Sequence, residues 1–86
     1  MDRLLILADD LAQDVIEATE VLGDDTLIEH INKMLEASSS TMQEAYMSSV
    51  RARRAETRAR AFLEARLRKA AAELEAQAKG GGDAPL

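Results

Sequence analysis

The chain has 86 residues, no cysteine and no tryptophan, and a formal net charge of −5. So short a chain buries only a small core, and without cysteine neither disulfides nor a thiolate zinc site can stabilise it, so we expect oligomerisation to supply stability. The apolar run at residues 4–8 is too short to span a membrane and is followed by no signal-peptide cleavage site, which favours a cytoplasmic protein.

Apolar residues at alternating steps of four and three predict a first helix over about residues 2–22. They form a heptad seam made of Leu4, Ala8, Leu11, Val15, Ala18 and Leu22. Gly23 suits a left-handed helix end, and Asp24, Asp25 or Thr26 can cap the helix that follows. Because this connection is so short, we expect the second helix to run antiparallel to the first.

A second seam predicts one long helix over about residues 26–79. Its members are Ile28, Ile31, Leu35, Ser38, Met42, Ala45, Ser49 and Ala52 and, after an interruption at Glu56, Ala59, Leu63, Leu67, Ala70 and Leu74. The hydroxyl run at residues 38–41 is ambiguous, because Thr41 to Glu44 fits a capping box that would start a third helix. The heptad phase passes through this run unbroken and no glycine or proline marks a turn, so we favour one continuous helix.

These elements predict an all-α fold, with one helical domain over residues 1–79 and a flexible, glycine-rich tail over residues 80–86. At 1.5 Å per residue the second helix would be about 80 Å long and the first about 30 Å, so much of the second must contact other chains. We therefore expect an antiparallel helical hairpin that assembles as a coiled-coil-like oligomer, with a ring as one form. The residues predicted for the oligomer interface are Leu4, Leu11, Val15, Leu22, Ile31, Leu35, Met42, Ala45, Ser49, Ala52 and Leu63.

No constellation in the sequence supports catalysis, metal binding or cofactor binding. His30 is the only histidine, and a packed or exposed helical position explains it better than a catalytic role. The acidic pairs at residues 9–10 and 24–25 lack further oxygen ligands at loop spacing, so solvated or capping roles explain them better than cation binding. The glycines of the tail lack the lysine and hydroxyl residue of a phosphate loop. The sequence predicts a protein that is not an enzyme and holds no cofactor.

Residues 51–69 carry eight basic side chains and two acidic ones, whereas residues 1–50 carry eleven acidic and two basic. The local sign of charge, and not the total, determines which surface attracts a polyanion. The basic residues are therefore candidate contacts to the phosphates of double-stranded DNA: Arg51, Arg53, Arg54, Arg58, Arg60, Arg66, Arg68 and Lys69. Stacking aromatic residues and a base-reading helix are missing, so such binding would follow the DNA backbone without sequence preference.

The same basic block has a second interpretation, which the sequence alone leaves open. It would be a solvated coiled-coil surface, neutralised by acidic residues on the first helix of a neighbouring subunit. The residues that supply this negative surface are Asp9, Asp10, Asp14, Glu17 and Glu20.

The order of features between residues 8 and 56 resembles the central oligomerisation hairpin of the small terminase subunits of T4-like tailed phages. The features are a helix ending near residues 16–19, a short acidic turn at residues 23–25, and a returning helix whose hydroxyl run, residues 38–41, is followed by Glu44. Gene transfer agents, which are domesticated phage particles of bacteria, use a similar small subunit. The chain departs from many phage small terminases because it leaves no room for an N-terminal helix-turn-helix domain before its first helix, which puts recognition of a specific packaging start site in doubt.

The resemblance implies a non-enzymatic DNA-packaging subunit that forms an oligomer, contacts DNA non-specifically and delivers it to a large terminase ATPase. The alternative is a small coiled-coil adaptor or secretion chaperone that binds a partner helix and no DNA. In that alternative, Met34, Met42, Met47 and the small residues of the second seam would form the binding groove, although methionine more often fills a core.

Overall fold

The computed structural model describes the backbone of residues 2–83 and the side chains of residues 2–79. These residues form three helices and no strand: α1 (Arg3–Leu22), α2 (Leu27–Ser38) and α3 (Ser40–Asp83). The predicted all-α class is therefore confirmed. The chain divides into two compact units, Met1–Ala55 and Glu56–Leu86.

Both ends of α1 follow from local sequence. The carboxylate of Asp2, the residue before the helix, accepts a hydrogen bond from the Leu4 N–H at 3.1 Å. At the other end, Gly23 lies in the left-handed region with φ 65° and ψ 30°, where a β-carbon would be strained. The N–H groups of Gly23 and Asp24 both donate to the Thr19 carbonyl, which confirms the predicted helix end.

Asp24 organises the turn between α1 and α2. Its Oδ1 accepts hydrogen bonds from the Thr26 N–H at 3.0 Å and from the Thr26 hydroxyl at 2.6 Å. The bond from the hydroxyl is the largest of the effects that hold the pKa of Asp24 below its ordinary value. Thr26 itself makes no side-chain capping bond to α2. The predicted side-chain cap of α2 is therefore not formed, and Asp24 and Thr26 hold the turn through hydrogen bonds to each other.

The prediction of one continuous helix over residues 26–79 is wrong, because the chain breaks at Ser39. This residue is extended, with φ −163° and ψ 107°. Its hydroxyl accepts from the Met42 N–H at 3.2 Å, and its carbonyl accepts from the Gln43 N–H at 3.0 Å, so Ser39 caps the start of α3. Serine hydroxyls compete with the helical backbone for hydrogen bonds, which is why a serine run can end one helix and begin the next. The alternative start at Thr41 was close to the observed one.

The break lets α2 fold back on α3 in the first unit. The Tyr46 hydroxyl donates to the Ile28 carbonyl at 3.1 Å, and the Gln43 amide donates to Asn32 Oδ1 at 2.7 Å. Residue numbers rise along α3 as they fall along α2, so the two helices are antiparallel here. On a continuous helix these pairs would lie far apart along one axis, out of contact.

A small core forms between the three helices of the first unit. Its buried apolar members are Ala8, Ala12, Val15, Ile28, Tyr46 and Val50. Thr19 is also buried, and its hydroxyl donates to the Val15 carbonyl at 2.9 Å. Three of the buried positions are alanine or threonine, so the helices approach closely and the core contains little large apolar volume.

The second unit is the remainder of α3. Over residues 56–79 every side chain is exposed except that of Ala70, which is partly buried. The helix was expected to end near residue 79, but its backbone continues to Asp83. The predicted flexible tail over residues 80–86 is therefore helical over its first four residues, and its last three lie outside the described residues. Among the described residues, no helix is long and apolar enough to cross a membrane.

Candidate nucleic-acid interface

All eight basic residues of the block lie on α3. Arg51, Arg53 and Arg54 belong to the first unit, and the other five belong to the second. The helix spaces them by regular steps of 1.5 Å along its axis, so the charges form a linear array on each part of α3. Their exposure and their partners decide which of them can meet a phosphate.

Arg53 is engaged inside the first unit. Its Nε donates to Asp9 Oδ1 at 2.9 Å and its Nη2 donates to Asp9 Oδ2 at 2.7 Å, a bidentate pair between α3 and α1. Nη2 also reaches Gln13 Oε1 at 3.4 Å. The Arg53 side chain is 33% exposed, the least accessible of the basic residues in the block. We therefore assign Arg53 to the contact between helices.

Asp9, the partner of Arg53, is stabilised in its charged form. The hydrogen bonds from Arg53 are the largest cause of the lowered pKa of Asp9, and a bond from Ser49 contributes too. Asp9 and Gln13 of α1 both accept hydrogen bonds from Arg53, so this arginine joins α1 to α3. The sequence predicts Asp9 in an acidic surface and Arg53 in a basic one, and no sequence signal pairs them.

Arg51 and Arg54 are exposed on the first unit. Arg54 lies near enough to Tyr46 for its charge to favour the tyrosinate, while burial, the larger effect, raises the pKa of Tyr46. Neither arginine has an ion-pair partner within 4.0 Å among the residues with described side chains.

Five basic residues lie on the second unit, and all are exposed. Arg60 pairs with Glu56, one helical turn earlier, at 3.1 Å, but both side chains are about two-thirds exposed. Such a surface pair is weak and gives way readily to a competing anion. The others, Arg58, Arg66, Arg68 and Lys69, form no ion pair with any described side chain.

The acidic residues of α1 neutralise little of the block within the chain. Asp10, Asp14, Glu17 and Glu20 are exposed, and Asp9 is the one acidic residue of the described part of α1 that pairs with an arginine. Within one chain, α1 neutralises Arg53 alone among the described residues of the block. Neutralisation by the first helix of a neighbouring subunit stays a prediction.

The residues predicted for the oligomer interface lie in three environments. Val15 is buried in the core of its own chain, and Leu11, Ile31, Leu35, Met42 and Ala45 pack against that core. Leu4 and Ser49 are partly buried. Leu22, Ala52 and Leu63 are exposed, and these three offer the most surface to a second copy. Participation of the set in an oligomer stays a prediction.

The described residues assemble no metal centre. No cluster of three or more histidine or acidic residues could hold a metal ion there. His30 is exposed on α2. Met42 and Met47 pack against the core, which leaves Met34, 57% exposed, as the accessible residue of the methionine groove required by the adaptor alternative.

Family models, curated proteins and solved structures were each compared with the chain, and none matches.

Proposed function

We propose that the protein is a non-enzymatic DNA-packaging subunit of the small-terminase kind. In this proposal an oligomer, built on the helical hairpin and α3, contacts double-stranded DNA through phosphates and delivers it to a large terminase ATPase in the cytoplasm. Arg51, Arg54, Arg58, Arg66, Arg68 and Lys69 would bind the phosphates, whereas Arg53 would hold α1 against α3.

One observation carries the proposal. Six of the eight basic side chains of the block are exposed and form no ion pair among the described residues, although the chain as a whole is acidic. Acidic residues of the same chain leave these cations accessible, as phosphate binding requires. Neutralisation by a neighbouring subunit is the alternative that the titration below tests. A single copy presents few of them, so binding strengthens when an oligomer presents many at once.

The test is a mobility-shift titration on two duplexes of unrelated sequence at two salt concentrations. Changing Arg51, Arg54 and Arg58 together to Gln should weaken binding equally on both duplexes. It should also flatten the salt dependence, whose logarithmic slope is about −0.9 per phosphate neutralised.

A matched control is available because three basic residues lie outside the block. Arg3, Lys33 and Lys79 are exposed, and changing all three to Gln removes the same charge. This control variant should keep most of the affinity. Equal losses in the two triple variants, or no binding by the natural chain at low salt, would reject the proposal.

The second candidate, a coiled-coil adaptor that binds a partner helix, is favoured by one feature. The second unit exposes Leu63, Leu67 and Leu74 at helical spacing, a seam suited to a helix. Light scattering separates the candidates: a packaging subunit should form at least a tetramer on its own, whereas an adaptor should be a dimer or a one-to-one complex.

A further inference from the structure

An apolar seam runs along the described part of the second unit, and no described residue of that unit covers it. Leu63, Leu67, Ala70 and Leu74 follow at steps of four, three and four, which places them at the d and a positions of two heptads. The three leucines are 52%, 60% and 66% exposed. The described part of this unit is a single stretch of helix, so it offers no second element to pack on the seam.

Two opposite charges on one edge of the seam indicate what that occupant is. Arg66 and Glu73 are exposed and lie seven residues apart, each at a g position. Within one helix they are separated by about 10 Å along the axis, too far for an ion pair. On a second copy running in the opposite direction the order of the two charges is reversed. Arg66 then lies opposite Glu73 of the partner subunit, and twofold symmetry forms the same pair a second time.

The register that aligns these charges also fits the apolar residues. It places Leu67 opposite the partner's Ala70 and Leu63 opposite the partner's Leu74. A leucine facing an alanine at the centre lets the two helices approach closely, and the leucine pairs close the layers on either side. Arg60, the next seam position, lies opposite the partner's Gln77, which is uncharged.

A parallel arrangement of two copies is unfavourable for the same residues. It would place Arg60 at an a position beside Arg60 of the partner subunit, so two like charges would meet in the seam. Its g-to-e contacts would join Arg66 to the partner's Ala71 and Glu73 to the partner's Ala78, neither of which can form an ion pair.

We propose that residues 56–79 of α3 pair antiparallel with the same residues of a second copy, centred between Arg68 and Lys69. The inference rests on the self-association part of the proposed function, is independent of DNA, and assigns Arg66 to the interface between copies instead of to a phosphate. It identifies one interface of the oligomer and gives its direction and register. The seam is only four layers long, so the pairing depends on protein concentration.

Cross-linking of the full chain tests the register directly, because the natural sequence has no cysteine. Chains carrying Arg66→Cys are mixed with chains carrying Glu73→Cys and treated with a short bismaleimide without DNA. The matched control mixes Arg68→Cys with Glu75→Cys, which have the same residue types and spacing but lie at outward b positions. We expect the first mixture to cross-link at least several times faster than the control and than either cysteine variant alone. Equal rates would overturn the proposal.

Charge reversal tests the ion pairs. Arg66→Glu should raise the dimer dissociation constant about tenfold in sedimentation equilibrium, because two attractive pairs become repulsive. Adding Glu73→Arg to Arg66→Glu should restore the natural dissociation constant. The control double variant, Arg68→Glu with Glu75→Arg, should leave the dissociation constant unchanged. If the double variant stays as weak as Arg66→Glu, this pairing is wrong.

The outcomes separate this inference from DNA binding. Self-association without preferential cross-linking at residues 66 and 73 rejects the register and leaves another surface to build the oligomer. Preferential cross-linking in a chain that binds no duplex supports the register and rejects the packaging function. A chain that remains monomeric at all concentrations rejects the pairing together with the oligomer.

Discussion

The hydroxyl of Tyr46 on α3 donates to the backbone carbonyl of Ile28 in the first turn of α2, at 3.1 Å. Tyr46 is completely buried and is the only tyrosine of the chain, which has no tryptophan. Tyr46 and Val50 are the largest fully buried side chains of the described residues, and the Tyr46 hydroxyl satisfies its hydrogen bond in the core. This one side chain therefore holds α2 and α3 together on both sides of the break at Ser39.

Removal of the hydroxyl or of the ring should lower stability by different amounts. Tyr46→Phe loses one buried hydrogen bond and should lower the free energy of unfolding by about 1 kcal/mol. Tyr46→Ala also empties the core and should lower it by about 3–5 kcal/mol, enough to unfold so small a unit. Urea denaturation followed by circular dichroism measures both. Phe62→Ala, at a site 74% exposed, is the matched aromatic control and should leave the midpoint of unfolding unchanged.

Alkaline pH should destabilise the fold through the same residue. Burial raises the pKa of Tyr46 above its ordinary value of 10.0, so the folded state favours the neutral phenol. The stability gained from this group is therefore complete below pH 10 and is lost as the pH rises through the folded pKa. Because Tyr46 is the only tyrosine, absorbance near 295 nm follows its ionisation alone. A titration midpoint at or below that of the urea-unfolded chain would contradict the prediction.

Acid should weaken the contact between α1 and α3 through Asp9. The hydrogen bonds from Arg53 hold the pKa of Asp9 below 3.8, so the ion pair stabilises the fold above that pH and loses its effect as the pH falls through the lower, folded value. Asp9→Asn should therefore unfold at a lower temperature than the natural chain at pH 7. At pH 2 the difference between the two unfolding temperatures should be smaller. Asp10→Asn, which removes an adjacent carboxylate outside the ion pair, is the control. Thermal unfolding at the two pH values decides the outcome.

The serine at the break should stabilise the start of α3. Ser39→Ala removes the hydroxyl that accepts the Met42 N–H and should cost about 1 kcal/mol. Ser40→Ala, one residue inside the helix, is the matched control and should cost less, since alanine is the better helix former. If the two variants unfold at the same urea concentration, Ser39 is not the capping residue.

Enlarging two alanines of the predicted interface should have separate effects. Ala45 is partly buried and packs against the core, so Ala45→Leu should overpack it and cost about 1–3 kcal/mol. Ala52 is exposed, so Ala52→Leu should leave the stability of the single chain unchanged. Light scattering of Ala52→Leu then tests the oligomer: a changed assembly size supports a contact at this position, and an unchanged size removes Ala52 from the predicted interface.

The sequence predicted those parts of the fold that depend on neighbouring residues. The extent of α1 and the glycine that ends it depend on a few neighbouring residues, and the sequence predicts both. The predicted seam of α1 is confirmed only in part, because Ala8 and Val15 are buried whereas Leu22 is 68% exposed. The sequence predicts one helix across Ser39, because the heptad phase continues through this residue. An unbroken heptad phase is expected for one long helix and also for two consecutive helices whose apolar residues keep the same spacing. Local spacing therefore does not distinguish one helix from two.

For the candidate interface too, some properties follow from the sequence alone and others from tertiary packing. The concentration of positive charge on one helix is a property of the sequence alone, because it needs only the residue types of positions 51–69 and their helicity. Which arginine is engaged within the chain was decided by tertiary packing. Asp9 and Arg53 are separated by 44 positions, and they meet because the fold back at Ser39 brings α3 beside α1. Short-range hydrogen bonds and spacing determine where helices begin and end, whereas ion pairs and core contacts depend on how those helices pack together.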